Sequence, residues 1–130
     1  MYILIYKYME TEMIKDWPDT AKYLSGELKA VRSGTPEVMK AFSAMAQAAL
    51  APKALDTKTK ELIALAIGVA VRCDDCIAFH TKAALSAGAT DEEVWETLGM
   101  AIYMGAGPSV MYANHALTAW SQFKEQKAPG

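Results

Sequence analysis

Apolar residues recur at spacings of three and four along most of this chain, a period that commits it to helices. The clearest stripe is Val38, Met39, Phe42, Met45, Ala46, Ala49 and Leu50, which Pro52 ends. Before it, Ser33-Gly34-Thr35-Pro36 breaks the chain, with Thr35 suited to cap the helix and Pro36 to its first turn. Pro18 to Val31 reads as a weaker helix with Tyr23, Leu24, Leu28 and Val31 on its apolar side. Asp56 can cap a helix running to about Arg72. Its Leu62, Ile63, Leu65, Ala66, Ile67, Val69, Ala70 and Val71 make it apolar nearly all round, as in the middle of a bundle. Gly68 inside that helix costs about 1 kcal/mol against alanine and points to close packing. A short helix carries Cys76 to Leu85 and stops at Gly88. Thr90 and Glu93 then form a capping box, followed by an inner stripe of Val94, Leu98, Ala101, Ile102 and Gly105. After a tight break at Gly105-Ala106-Gly107-Pro108, Val110, Ala113, Leu117, Trp120 and Phe123 share one face of a last helix. No fixed repeat and no β alternation of useful length competes with this reading. The expected fold is all-α: one domain of about six helices over residues 1–130, with 1–16 as an N-terminal arm and 124–130 as a frayed tail.

A chain of 130 residues, 52% of them apolar, can build one core but leaves a thin stability margin. Self-association would widen that margin, so a homo-oligomer is expected, and the tyrosine-rich start from Met1 to Met9 suits an arm lying on a neighbouring subunit. That start lacks the basic leading region and small-residue cleavage site of a signal peptide. No stretch is apolar for long enough to span a membrane. With a net charge of −2 and no basic cluster, nucleic acid is a poor partner. A cytoplasmic location follows as the default. The eight methionines serve most simply as gap fillers, and Tyr103 and Tyr112 as core.

Only two cysteines are present, Cys73 and Cys76. A structural disulfide stabilises by closing a long loop, and a three-residue loop constrains almost nothing. The spacing therefore points to chemistry or to a metal. At i and i+3 on a helix their Cα atoms lie about 5–6 Å apart, within bonding range. His80, at i+4 from Cys76, shares their face. If the next helix folds back antiparallel, Glu61 lies about 18 Å axially from Cys73, while His80 returns by about 10 Å. His80 then falls between the sulfurs and Glu61, and a relay from Glu61 through His80 to a thiol fits these distances. A free thiol is only about 3% ionised at pH 7, and the helix N-terminus, His80 and Arg72 would all raise that fraction. Asp74 and Asp75 would lower it. Other readings of the same residues are inert core cysteines, a zinc site with His80 and Glu61, and Glu61 as a solvated first-turn carboxylate. His115 lies off its apolar stripe and reads as structural or exposed.

The run Leu55-Asp56, Lys60-Glu61-Leu62, Cys73-x-x-Cys76-x-x-x-His80, Gly88-Ala89-Thr90-x-Glu92-Glu93-Val94 and Gly107-Pro108-Ser109 resembles the AhpD-like alkylhydroperoxidase proteins of the carboxymuconolactone decarboxylase superfamily. The likeness covers about Pro36 to Phe123. It implies an all-helical fold assembling into trimers or hexamers, and a thiol peroxidase or disulfide reductase activity with no bound cofactor. By the same likeness, Cys76 attacks the peroxide and Cys73 resolves it; in the relay read from the spacing, His80 shuttles the proton and Glu61 orients His80. A thioredoxin-like or dihydrolipoyl-type donor would reset the pair. The chain departs from the peroxidase pattern at Asp75, where those proteins carry a histidine before the second cysteine. The alternatives are a non-redox enzyme of the decarboxylase type, which usually lacks the paired cysteines, and a zinc-binding or scaffold oligomer.

Overall fold

The computed structural model describes residues 15–127; residues 1–14 of the expected arm at 1–16 and the last three residues of the tail lie outside them. Five helices follow in order: α1 Trp17–Gly34, α2 Pro36–Leu50, α3 Thr57–Ala70, α4 Asp74–Ser86 and α5 Asp91–Lys127. No strand occurs among the described residues, as an all-helical fold requires.

Local chemistry sets most boundaries. Asp16 and Asp56 each accept the amide N–H three residues on, at 2.9 and 2.7 Å, and so start α1 and α3. At α5, Thr90 Oγ1 accepts from the Glu93 amide at 3.2 Å and Glu93 Oε2 accepts from the Thr90 amide at 2.9 Å, closing the capping box. Thr35 departs from expectation. Its hydroxyl donates back to the Val31 carbonyl at 2.8 Å and makes no cap bond to α2.

A straight α5 of 37 residues would be about 55 Å long. Yet Asp91 at its start accepts from Trp120 Nε1 at 2.7 Å and pairs with Lys124 at 2.8 Å. The helix therefore folds back on itself. The reversal is at Ala106, with φ 55° and ψ −142°, and Pro108 opens the returning arm. That backbone region belongs almost wholly to glycine and costs an alanine about 1–3 kcal/mol. Ala106→Gly is expected to raise unfolding stability by about 1 kcal/mol, read as a shift in the denaturation midpoint at constant slope. The returning arm stays helical through Lys127, so the fraying expected from Lys124 onward does not begin there. The Lys124–Asp91 pair holds that end in place.

Around this hairpin, α3 and α4 supply much of the rest of the core, with Leu65, Val69 and Ile77 fully buried. Trp17 closes one side, 1% exposed, its amide donating to Gln122 Oε1 at 2.7 Å. The two arms of α5 bury alanines at 101, 113, 116 and 119 in the core. Three expectations about burial fail. The α2 stripe is not core: α2 buries no residue, and Val38 and Phe42 are 68% and 55% exposed. Nor is α3 enclosed all round, since Ile63, Ile67 and Val71 face outward. Tyr103, read as core, is also exposed. Periodicity marks an apolar face but not what covers it.

Carboxylates pin the two arms of α5 to each other and α5 to α3. The Lys124 ammonium, then the Trp120 N–H, hold the Asp91 carboxyl below its usual range. Lys58, then the Thr90 amide, do the same for Glu93. Groups with lowered folded-state pKa contribute stability above their unfolded value near 4 and lose it as pH falls through the folded one. The thermal midpoint is thus expected to hold above about pH 5 and to drop below about pH 4, less steeply in Asp91→Asn, as scanning calorimetry across pH would show.

Candidate functional site

The way α3 ends places the cysteines. Arg72 adopts φ 61°. Its amide donates to the Val69 carbonyl at 3.2 Å, and the Cys73 amide donates to the Gly68 carbonyl at 2.9 Å. This paired closure is a Schellman turn with Arg72 at the left-handed position. A side chain there costs about 1–2 kcal/mol relative to glycine. The turn delivers Cys73 directly to the N-cap of α4, where its Sγ accepts the Cys76 amide at 3.2 Å. A sulfur at that position lies at the positive end of the helix, which favours the thiolate.

Cys73 and Cys76 are joined by a disulfide, with Cα atoms 5.2 Å apart, and both are half-buried. Gly68 forms the wall behind them. A Cβ added to it would lie 3.1 Å from Cys76 Cβ, tighter than side chains normally pack. Close packing is thus the reason for this glycine, as its place in an apolar helix suggested. Asp74 and Asp75 occupy the first turn of α4, where carboxylates complement the helix dipole. Asp74 turns to Lys15 at 2.7 Å, while Asp75 is exposed.

One turn beyond Cys76, His80 Nδ1 meets Glu61 Oε2 at 2.7 Å. Glu61 is 6% exposed, which sets aside its reading as a solvated first-turn residue. A carboxylate only accepts, so the contact fixes the proton on Nδ1 and leaves Nε2 free to exchange one. The four residues singled out from the sequence thus lie on the facing helices α3 and α4, with Glu61 against His80 and the cysteines at the head of the same helix as His80. Direct contact between Glu61 and the sulfurs is not part of this arrangement.

Two residues carry features that the sequence did not flag. Thr81, next to His80, is fully buried and its hydroxyl has no hydrogen-bond partner. Arg72 takes a backbone conformation that no sequence signal announces. His115 is exposed and packs on Trp17 and Tyr112, with ring centroids 5.9 and 5.2 Å away. Among the described residues no three His, Cys, Asp or Glu side chains converge as a metal site would need. No described helix is long and apolar enough to cross a membrane.

Fold and site together define a helical bundle that carries a bonded cysteine pair at a helix N-terminus beside a buried carboxylate–imidazole pair. The sequence profile of the carboxymuconolactone decarboxylase family matches residues 36–119, and the chain belongs to that family. A family member from Legionella pneumophila, solved in its apo form, superposes with a TM-score of 0.80 at 50% identity, over 82% of this chain and 96% of that one. A second, from Thermotoga maritima, gives 0.76 at 30% identity over 83% and 92%; a part in the antioxidative response has been suggested for it. An uncharacterized protein of Cupriavidus necator is 42% identical over 94 residues, covering 72% of this chain and 83% of its own length.

Proposed function

We propose that the protein is a thiol-dependent oxidoreductase, with Cys73 and Cys76 cycling between dithiol and disulfide. The observation that carries this is the bonded pair at the head of α4, one helical turn from a histidine whose tautomer is fixed by a buried glutamate. In this reading the Cys76 thiolate attacks a peroxide or a disulfide. A peroxide leaves a sulfenic acid on Cys76 and releases water or alcohol; Cys73 then displaces hydroxide, and the intramolecular disulfide closes. His80 moves the proton and Glu61 orients it. A dithiol donor of thioredoxin-like or dihydrolipoyl type restores the thiols. The antioxidative role suggested for the Thermotoga maritima relative agrees with this. The cytoplasm, which keeps thiols reduced, is the matching compartment.

The exposed apolar side chains of α2, Val38, Phe42 and Met45, support a homo-oligomer, a trimer or hexamer, in which a second copy covers them. One observation also favours a second reading. The Glu61–His80 pair needs no thiol to move protons, so a decarboxylase-type reaction remains available to it. The decisive assay follows consumption of an organic hydroperoxide and of a small disulfide under a dithiol reductant. Turnover that needs both cysteines supports the redox reading, whereas activity surviving in Cys73→Ser/Cys76→Ser rejects it.

A further inference from the structure

Arg72 stands at the left-handed position of the turn between α3 and α4, with φ 61°. Glycine is the residue that such a position favours. An arginine held there keeps a conformational cost that glycine would remove, so its side chain is the feature to explain. It is exposed, and its Cα lies about 3.8 Å from that of Cys73. The neighbouring charges are Asp74, already paired with Lys15 at 2.7 Å, and the exposed Asp75. Asp74 and Lys15 offset each other, which leaves Arg72, next to Cys73 in the chain, and Asp75 as oppositely charged residues flanking Cys73 in sequence.

We infer that Arg72 selects the substrate of the dithiol, favouring disulfides and thiols that carry a carboxylate close to the reacting sulfur. This rests on the redox reading above and deepens it. The guanidinium offers a planar fork that matches a carboxylate, on a backbone fixed by two hydrogen bonds to α3. In the exchange, one protein thiolate attacks the external disulfide, forms a mixed disulfide and expels one thiolate. The second protein thiol, giving up its proton to solvent, then displaces the other thiolate and closes the Cys73–Cys76 bond. Two electrons pass from protein to substrate, and one disulfide is exchanged for another.

The test compares the reduced full chain with R72G and R72K against two probes: the dianionic dithiobis(nitrobenzoate) and the neutral dithiodipyridine. At low salt R72G is expected to lose about tenfold more rate with the anionic probe than with the neutral one, whose slowing reads the share of Arg72 in thiol ionisation. R72K, keeping the charge, retains most of the anionic rate. High salt narrows the difference between wild type and R72G. The midpoint of thermal unfolding of R72G holds or rises by about 2–5 °C, which excludes loss of fold as the cause. Equal slowing with both probes would overturn the inference, because it would mean that Arg72 acts on the thiol itself. No slowing with either probe overturns it as well. If wild type reduces neither probe, the redox reading fails first and this one with it.

Discussion

Cys76→Ser is expected to abolish peroxide- and disulfide-dependent turnover, a loss of at least about 10³-fold, while leaving the helical signal and the thermal midpoint close to wild type. The size of the effect follows from chemistry. A serine hydroxyl is not ionised at neutral pH and cannot form the intramolecular disulfide, so no alternative route exists on this scaffold. Small structural cost is expected because Cys76 is only half-buried and its amide, not its sulfur, supplies the cap bond to Cys73. Cys73→Ser differs in kind. It leaves a nucleophile but no resolving thiol, so a single burst replaces turnover, and oxidised Cys76 can be trapped with a sulfenic-acid reagent. Turnover at the wild-type rate in Cys76→Ser would remove that residue from the mechanism.

Glu61→Gln carries the second-largest expected effect, about 10²-fold in kcat at saturating oxidant. The amide keeps the volume of the side chain and its contact with His80 at 2.7 Å in the native protein, but it gives up the charge that stabilises an imidazolium. It can also present its NH2 to Nδ1 and so reverse the tautomer. Because Glu61 is nearly inaccessible, solvent cannot replace the missing charge. A merely structural carboxylate would show itself differently, through a lower thermal midpoint with kcat unchanged. The two readouts are measured on the same sample, and His80→Gln should reproduce the kinetic defect without adding to it in the double variant.

Features whose cause lies within a few residues are legible in the sequence. The Thr90–Glu93 box, the Asp56 cap and the stop at Gly88 each depend on one turn of chain, and they stand where local chemistry puts them. Gly68 is legible for a related reason: a glycine in a helix otherwise lined with aliphatic residues needs a close neighbour, and Cys76 is that neighbour. The meeting of Glu61 and His80 follows from helix rise once the two helices are taken as antiparallel. Features that depend on what lies opposite are not legible. Val38, Phe42 and Met45 have the period of a core face, yet they stand exposed among the described residues, and a period carries no information about partners. The α5 reversal is marked by Gly105, Gly107 and Pro108, but the strained residue is the alanine between them. Arg72 in a left-handed turn gives no signal either, because the usual marker of that conformation is glycine.

The most direct measurement is mass spectrometry of the reduced protein after one equivalent of organic hydroperoxide, with free thiols alkylated before and after. The account predicts that both alkylation sites disappear together, that the unalkylated chain loses the mass of two hydrogens, and that fragmentation finds Cys73 joined to Cys76 within a single chain. Thiols that stay fully alkylable after the peroxide is added, or cysteines oxidised singly to stable acids, would contradict it.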